Sequence, residues 1–212
     1  MLSFIARGGI VMIPIAALSV AAVALIVEKI AVLVRHPPYR GDAGSHAAEM
    51  LRAGRGAELV EEMRLERAPE ARVILAGLSP QSLGRQEREA LMEVEAVRVM
   101  ASMEDRVSWL SSIANIATLL GLLGTVTGMI RAFAGVKAAG YSNPTVLSGG
   151  ISEALITTAA GLVVAVPSLL AYHLFANAVG RAATRMELAA ASVVSYMAET
   201  AHVARAAKTT AR

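Results

Sequence analysis

Three apolar stretches constrain this chain most, because each is long enough to cross a lipid bilayer as a helix. The first is an unbroken apolar run at 10–27, which continues to Val34 beyond Glu28 and Lys29. The other two lie within 110–178, separated by the polar turn GYSNPTVLSGG. A helix rises about 1.5 Å per residue and the hydrocarbon core is about 30 Å thick. The sequence therefore predicts an all-α integral membrane protein with three transmembrane helices.

Composition narrows the classes of function. The chain is 55% hydrophobic with a mean hydropathy of +0.55, above what a soluble domain of this size needs. It has no cysteine, and its four histidines show no ligand spacing, so neither a disulfide nor a metal site is expected. Aromatic residues make up only 4%, which argues against base stacking and hence against a nucleic-acid partner.

A cleaved signal peptide is the alternative for the first apolar run, since AVA at 22–24 resembles a cleavage site. Arg7 is the only charge ahead of the run, however, and the run is long for a signal peptide. Two more spans follow it. A first transmembrane helix is therefore the prediction.

The middle of the chain is charged and predicts helices over 58–67 and 84–106. Small and apolar residues of the second helix recur at helical spacing and predict a face packed on a neighbour: Ala90, Leu91, Val94, Val97, Ala101 and Ser108. Ser79, Pro80 and Ser82 supply its start signal. No glycine or proline intervenes between Gly84 and Gly121, which favours one rod of about 50 residues running into the second span, giving long cytoplasmic helices.

Lysine and arginine placement predicts the orientation. Eleven lie within 35–106 and five within 181–212, which places both segments in the cytoplasm by the positive-inside rule. The expected organisation is a periplasmic N-terminus with the first transmembrane helix (1–34), a cytoplasmic helical loop (35–106), the second transmembrane helix (107–136), a periplasmic turn (137–149), the third transmembrane helix (150–178) and a cytoplasmic helical tail (179–212).

Small and hydroxyl residues mark the inner faces of the last two spans. Thr118, Gly121, Thr125 and Gly128 share one helix face by spacing, and Gly124 forms a GxxxG pair with Gly128. The candidate helix-packing residues are Gly121, Gly124, Gly128, Gly161 and Pro167, the last also removing a helix hydrogen bond. For any single threonine, a hydroxyl bonded back to its own helix is the simpler interpretation.

Glu153 is the acid of the third span and carries two interpretations. An ionisable residue within a span is a functional candidate, so an ion path is predicted from Glu153, Thr157, Thr158, Thr125 and Thr118. Thr157 shares the face of Glu153, whereas Thr158 points about 140° away on an ideal helix. The alternative is structural: Glu153 in the first turn of the span, favoured by the helix N-terminus, or paired with Arg131.

The passages NIATLLGLLGTVTGMIRAF and ISEALITTAAGLVVAVPSLLAYHLF resemble the signature of the ExbB/TolQ/MotA family of proton-channel subunits, specifically its three-span ExbB/TolQ branch. Both passages occur in the expected order and spacing. By this resemblance Thr125, Thr158 and Glu153 correspond to the family's pore threonines and third-span glutamate. Two positions depart from the family pattern, which more often has Pro at Thr118 and Asn at His173.

The resemblance implies a homopentameric ring in the bacterial inner membrane, in contact with membrane lipid, around a dimer of a single-span ExbD/TolR-like partner. The partner's aspartate would carry translocated protons, with no other cofactor, and an outer-membrane energy-coupling protein would receive the work. The predicted function is a ring subunit of a proton-motive-force-driven motor. The alternative is a structural scaffold that clusters partners without conducting ions.

Two other classes are disfavoured. A secondary transporter would need repeated broken helices, and an enzyme would need a nucleophile, base and orienting group together. Which system the motor would serve (uptake, envelope integrity or motility) stays open. Proton and sodium are both open as the transported ion, although hydroxyls with a lone acid and few other oxygen ligands favour protons.

Overall fold

Helices build the whole of the described chain. The computed structural model describes residues 8–78, 84–139 and 144–210, and within these ranges there is no strand. The helices are α1 (Met12–Arg35), α2 (Ala43–Arg52), α3 (Gly56–Leu65), α4 (Pro69–Leu78), α5 (Arg85–Glu104), α6 (Val107–Ala139) and α7 (Pro144–Thr210). The predicted all-α class is confirmed.

The chain divides into two compact units. The three-helix unit comprises Met1–Ile30 and Arg106–Phe175, and the charged unit comprises Ala31–Asp105 and Ala176–Arg212. Three helical segments, Met12–Arg35, Arg85–Lys137 and Leu147–Glu199, are long and apolar enough to cross a membrane, as predicted.

The three-helix unit has a small core and an apolar exterior. Its core joins Ile15 and Ala22 of α1 to Ala117 of α6 and to Val164 and Ala165 of α7. In the most apolar window of each candidate span, only 11%, 33% and 39% of residues are buried. Large apolar side chains on all three helices are instead exposed. Such a surface is expected to face lipid or further helices instead of water.

Glycines bring α6 and α7 into close contact. A Cβ built on Gly121 would lie 3.3 Å from Thr158 Cα, and one on Gly128 would lie 2.8 Å from Ala154 Cβ. A Cβ on Gly161 would lie 2.6 Å from the Ala117 carbonyl oxygen. Because these neighbours are mostly backbone, the two helices approach too closely for a larger residue.

The charged unit has its own core, where α2 to α5 pack on the later part of α7. Its buried side chains include Leu59, Met63, Ile74, Met92 and Met186. Glu70 is buried with them, and its carboxylate accepts a hydrogen bond from Arg185 Nε at 2.6 Å. An ion pair thus joins α4 to α7 inside this unit.

The predicted packing face of α5 is wrong. Leu91, Val94 and Val97 are 39%, 56% and 62% exposed, while the buried residues of α5 are Met92, Val99 and Met103. The two faces point to opposite sides of the helix, so the core of the charged unit is filled from the face that carries Met92, Val99 and Met103.

Two short helices of the charged unit were not predicted, and a third differs in its bounds. α2 and α4 are additional, and the helix predicted over 58–67 spans Gly56–Leu65. The start signal predicted at Ser79, Pro80 and Ser82 lies outside the described residues. Gly84 is the N-cap of α5, where its amide donates to the Glu87 carboxylate at 2.9 Å.

The continuous rod predicted from Gly84 is interrupted. α5 ends at Glu104 and α6 begins at Val107, because Arg106 adopts a left-handed φ of 59°. Arg106 Nη1 donates to the Glu28 carboxylate of α1 at 3.3 Å. The interruption coincides with the boundary between the two units.

The turn predicted over 137–149 is helical at both ends, since α6 continues to Ala139 and α7 begins at Pro144. Glu153 is therefore the tenth residue of α7 and not in its first turn. The interpretation that the helix N-terminus favours its charge is wrong, because that effect fades within the first turn. Pro167 lies inside α7, which is unbroken around it.

Buried positions recur along α7 every seven residues. Ala154, Gly161, Ser168, Phe175, Ala182 and Ala189 are all buried. The first four lie in the three-helix unit, and Ala182 and Ala189 belong to the core of the charged unit.

Candidate functional site

Two threonines of α6 lie beside the glycine contact without taking part in it. Thr118 is exposed and Thr125 partly exposed. Each hydroxyl donates to its own helix, Thr118 to the Ala114 carbonyl at 2.9 Å and Thr125 to the Leu122 carbonyl at 2.6 Å. These hydroxyls still have free lone pairs, so each can accept a hydrogen bond from another molecule.

Thr125 also lines a surface groove of about 550 Å³ on α6. The groove is otherwise apolar, and its lining residues are Thr125, Val126, Met129, Ile130 and Phe133. A side chain from another molecule that entered it would meet a single hydroxyl in apolar surroundings. Hydrogen bonds strengthen in such surroundings because water is scarce there.

Thr158 joins the two helices. Its hydroxyl donates to the Gly121 carbonyl at 2.8 Å, across the close contact described above. Gly121 lies one helical turn before Thr125, so the Thr158 hydroxyl and Thr125 are anchored one turn apart on α6. The structure therefore places Thr118, Thr125 and Thr158 in one part of the α6–α7 pair.

Glu153 and Thr157 lie elsewhere. Glu153 forms an ion pair with Arg131 of α6. Thr157 is fully buried, and its hydroxyl contacts both the Gly8 carbonyl at 2.9 Å and the Glu153 carbonyl at 2.8 Å. The five predicted pathway residues thus fall into two groups, and this second group faces the segment ahead of α1.

Asn115 extends the first group and was missed from the sequence. It is exposed and lies three residues before Thr118, so both side chains share a helix face. The spacing from Asn115 through Thr118 to Thr125, three and then seven residues, would have been the signal. A polar amide is costly against lipid, which favours a polar neighbour for this face.

The candidate site has few acidic side chains. Within 107–178, Glu153 is the only acidic residue of the sequence, and its carboxylate is engaged by Arg131. A hydroxyl alone does not exchange protons near neutral pH, so the threonines can solvate a moving proton but cannot carry its charge. The arrangement forms a polar wall that lacks its own proton carrier.

Apolar spans, an apolar exterior and a short polar wall between close-packed helices define the class of an α-helical, multi-pass membrane protein. A family model described as the MotA/TolQ/ExbB proton channel family matches residues 65–188. The chain belongs to this family, as the sequence resemblance predicted. Such a protein is a component of the inner membrane.

Individual relatives agree. A protein of Synechocystis sp. named as ExbB-like 1, a biopolymer transport protein, is 34% identical over 81% of this chain and 68% of its own length. The Tol-Pal system protein TolQ of Haemophilus influenzae is 38% identical over 39% of this chain and 36% of its own length. The biopolymer transport protein ExbB of Salmonella typhimurium is 40% identical over 34% of this chain. The match spans only 30% of that ExbB.

Proposed function

We propose that this chain is the ring subunit of a proton-motive-force-driven motor of the inner membrane. Copies of the chain, five by the family resemblance, enclose a single-span ExbD/TolR-like partner, with the N-terminus in the periplasm and the C-terminus in the cytoplasm. The aspartate of the partner carries protons. Thr125, Thr158 and Thr118 form the polar wall along which that carboxyl group moves.

The observation that carries this proposal is the exposed hydroxyl of Thr125 in its apolar groove. Thr125 is the one polar residue among the five that line the groove. A carboxyl group from a partner helix would find a hydrogen-bond acceptor there and little else. A single weak hydrogen bond would not hold that carboxyl group in place, which supports a proton carrier that moves along the wall.

Membership of a proton channel family and the missing carrier acid point the same way. A conducting path through the apolar core needs a group that changes protonation state. Glu153 is poorly suited to this role, since its carboxylate is already engaged by Arg131. An acid supplied by a second chain completes the path, which a scaffold without ion flow would not need.

The test is proton uptake by vesicles that contain the chain together with its partner. Thr125→Val removes the hydroxyl and keeps the shape, so we expect uptake to fall about tenfold or more, the factor that corresponds to roughly 1.4 kcal/mol. Thr125→Ser is expected to retain uptake. A dye trapped inside the vesicles reports the internal pH.

Thr127→Val is the matched control. Thr127 also donates to its own helix, to the Leu123 carbonyl at 3.0 Å, but points about 160° away from Thr125. Normal uptake in an assembled Thr125→Val complex would remove that hydroxyl from the mechanism. No uptake by the wild-type complex, with assembly intact, would favour the scaffold instead.

A further inference from the structure

We propose that Arg131 is a positioning residue. It holds Glu153 in a clasp that fastens the segment ahead of α1 to the α6–α7 pair and keeps this carboxylate out of the proton path. The clasp consists of Arg131, Glu153, Thr157 and the Gly8–Gly9 backbone. The proposal rests on the proposed function only where proton uptake is measured.

The ion pair is the first part of the clasp. Arg131 and Glu153 belong to different helices, and their side chains are 46% and 21% exposed. The pair is therefore partly shielded from water, where an ionic hydrogen bond is stronger than at a fully solvated surface. It links α6 to α7 between two close glycine contacts, those of Gly128 with Ala154 and of Gly150 with Ala132.

Gly9 is the second part of the clasp and brings the segment ahead of α1 into contact with the ion pair. Its φ is +70°, which residues with a side chain rarely adopt. A Cβ at this position would overlap Glu153 Oε1 and lie 2.9 Å from Arg131 Nη1. The backbone of Gly9 therefore lies directly against both charged groups, which only a glycine permits.

Thr157 is the third part of the clasp. Its buried hydroxyl lies 2.9 Å from the Gly8 carbonyl oxygen and 2.8 Å from the Glu153 carbonyl oxygen. The segment ahead of α1 and the backbone at Glu153 thus share one hydroxyl. Glu153 and Thr157, the second group of predicted pathway residues, are therefore both engaged in holding the segment ahead of α1.

The two roles of Glu153 make opposite predictions. A proton carrier must be a carboxyl group, whereas a clasp needs only an acceptor for Arg131. In the clasp, Glu153→Gln still accepts a hydrogen bond, and exchanging the two charges preserves the ion pair. In a relay, neither variant works.

The first test measures opening of the clasp by thiol labelling and does not depend on ion flow. The chain has no cysteine, so Thr157→Cys, whose S–H remains a weak donor in place of the hydroxyl, introduces a unique thiol at a position that is fully buried while the clasp is closed. In this background we expect Arg131→Glu and Glu153→Arg each to speed labelling by a membrane-impermeant maleimide about tenfold or more, which corresponds to roughly 1.4 kcal/mol of clasp opening. The double exchange is expected to restore slow labelling.

Lys137→Glu is the matched control, because it reverses another cation of α6 and is expected to leave labelling slow. Gly9→Ala is expected to open the clasp without changing any charge. The proposal is overturned if the double exchange labels as fast as Glu153→Arg alone, or if neither single reversal changes the rate.

The second test measures proton uptake by the complex. Glu153→Gln is expected to keep most of the uptake with an unchanged pH profile, and the charge exchange to recover what Glu153→Arg loses. Abolished uptake in Glu153→Gln, with the thiol of Thr157→Cys still shielded from the maleimide, would make Glu153 a carrier and overturn the proposal. If the wild-type complex takes up no protons, the proposed function fails, and the labelling test still decides the clasp.

Discussion

Gly161 is the residue at which α7 comes close to the backbone of α6. Its missing side chain leaves room for the Ala117 carbonyl, which would lie 2.6 Å from an added Cβ. We expect Gly161→Ala to separate the helices and to lower the free energy of unfolding by about 1–3 kcal/mol, as overpacking does. Thermal unfolding in detergent measures the change.

Gly149→Ala is the control for that substitution. It lies on the same helix, and an added Cβ would meet nothing within 4 Å. The variant should gain up to about 1 kcal/mol from helix propensity alone. Equal melting temperatures for the two variants would show that the close approach at Gly161 contributes nothing.

Glu62 makes the charged unit sensitive to acid. A side-chain hydrogen bond with His46, at 3.0 Å, is the main reason that the pKa of Glu62 lies below its ordinary value of 4.5. A lowered pKa stabilises the fold above the ordinary value, and this stabilisation is lost as the pH falls through the lowered one. We expect the melting temperature to fall below pH 4.5, and to fall less in His46→Ala.

Circular dichroism melts across a pH series measure this effect. Arg64→Ala, which breaks an exposed pair with Glu61 on the same helix as Glu62, serves as the control and should follow the wild-type slope. Parallel curves for His46→Ala and the wild type over the whole range would contradict the assignment to His46.

Residue spacing explains how much of the candidate site the sequence predicts. Spacing along one helix placed Thr118 and Thr125 on a common face, because the helical repeat is known in advance. The ion pair of Arg131 with Glu153 was only one of two alternatives. It depends on the register between two helices, which no spacing within one helix contains.

Arg106 determines where α5 gives way to α6. Its left-handed φ of 59° costs a residue with a Cβ about 1–2 kcal/mol, and a β-branched side chain more. We expect Arg106→Gly to be tolerated, because relief of this strain offsets the lost pair with Glu28. Arg106→Val should lower the melting temperature clearly.

Arg106→Asn is the comparison variant, since asparagine adopts left-handed φ readily but cannot pair with Glu28. If Val and Asn were equally destabilising, the ion pair and not the backbone would account for the effect. Melting temperatures of the three purified variants distinguish these causes.

Long apolar helices were predictable at the scale of elements, since length and hydropathy suffice for them. The short helices α2 and α4 were missed although α3, also ten residues long, was predicted, because glycine or proline within or beside them favoured turns. Their local signals were present. Asp42 caps α2 by accepting from the Gly44 amide at 3.0 Å, and Pro69 is the first residue of α4, where it is well tolerated.

The whole molecule exposes far more apolar surface than a protein in water would. Val20, Leu119 and Val163, one on each helix of the three-helix unit, are 72%, 63% and 72% exposed. Lipid and neighbouring subunits are the expected cover. Because Glu153 is the only acidic residue of 107–178 and is paired with Arg131, the proposed function needs a carboxyl group from a second chain.

The seven-residue spacing of buried positions along α7 restricts how the length of the chain can change. One inserted residue turns every later side chain by about 100°, which would move the later buried positions away from their neighbours. Seven inserted residues turn it by only about 20°. Insertions and deletions between Gly161 and Phe175, within the three-helix unit, are therefore expected in multiples of seven residues.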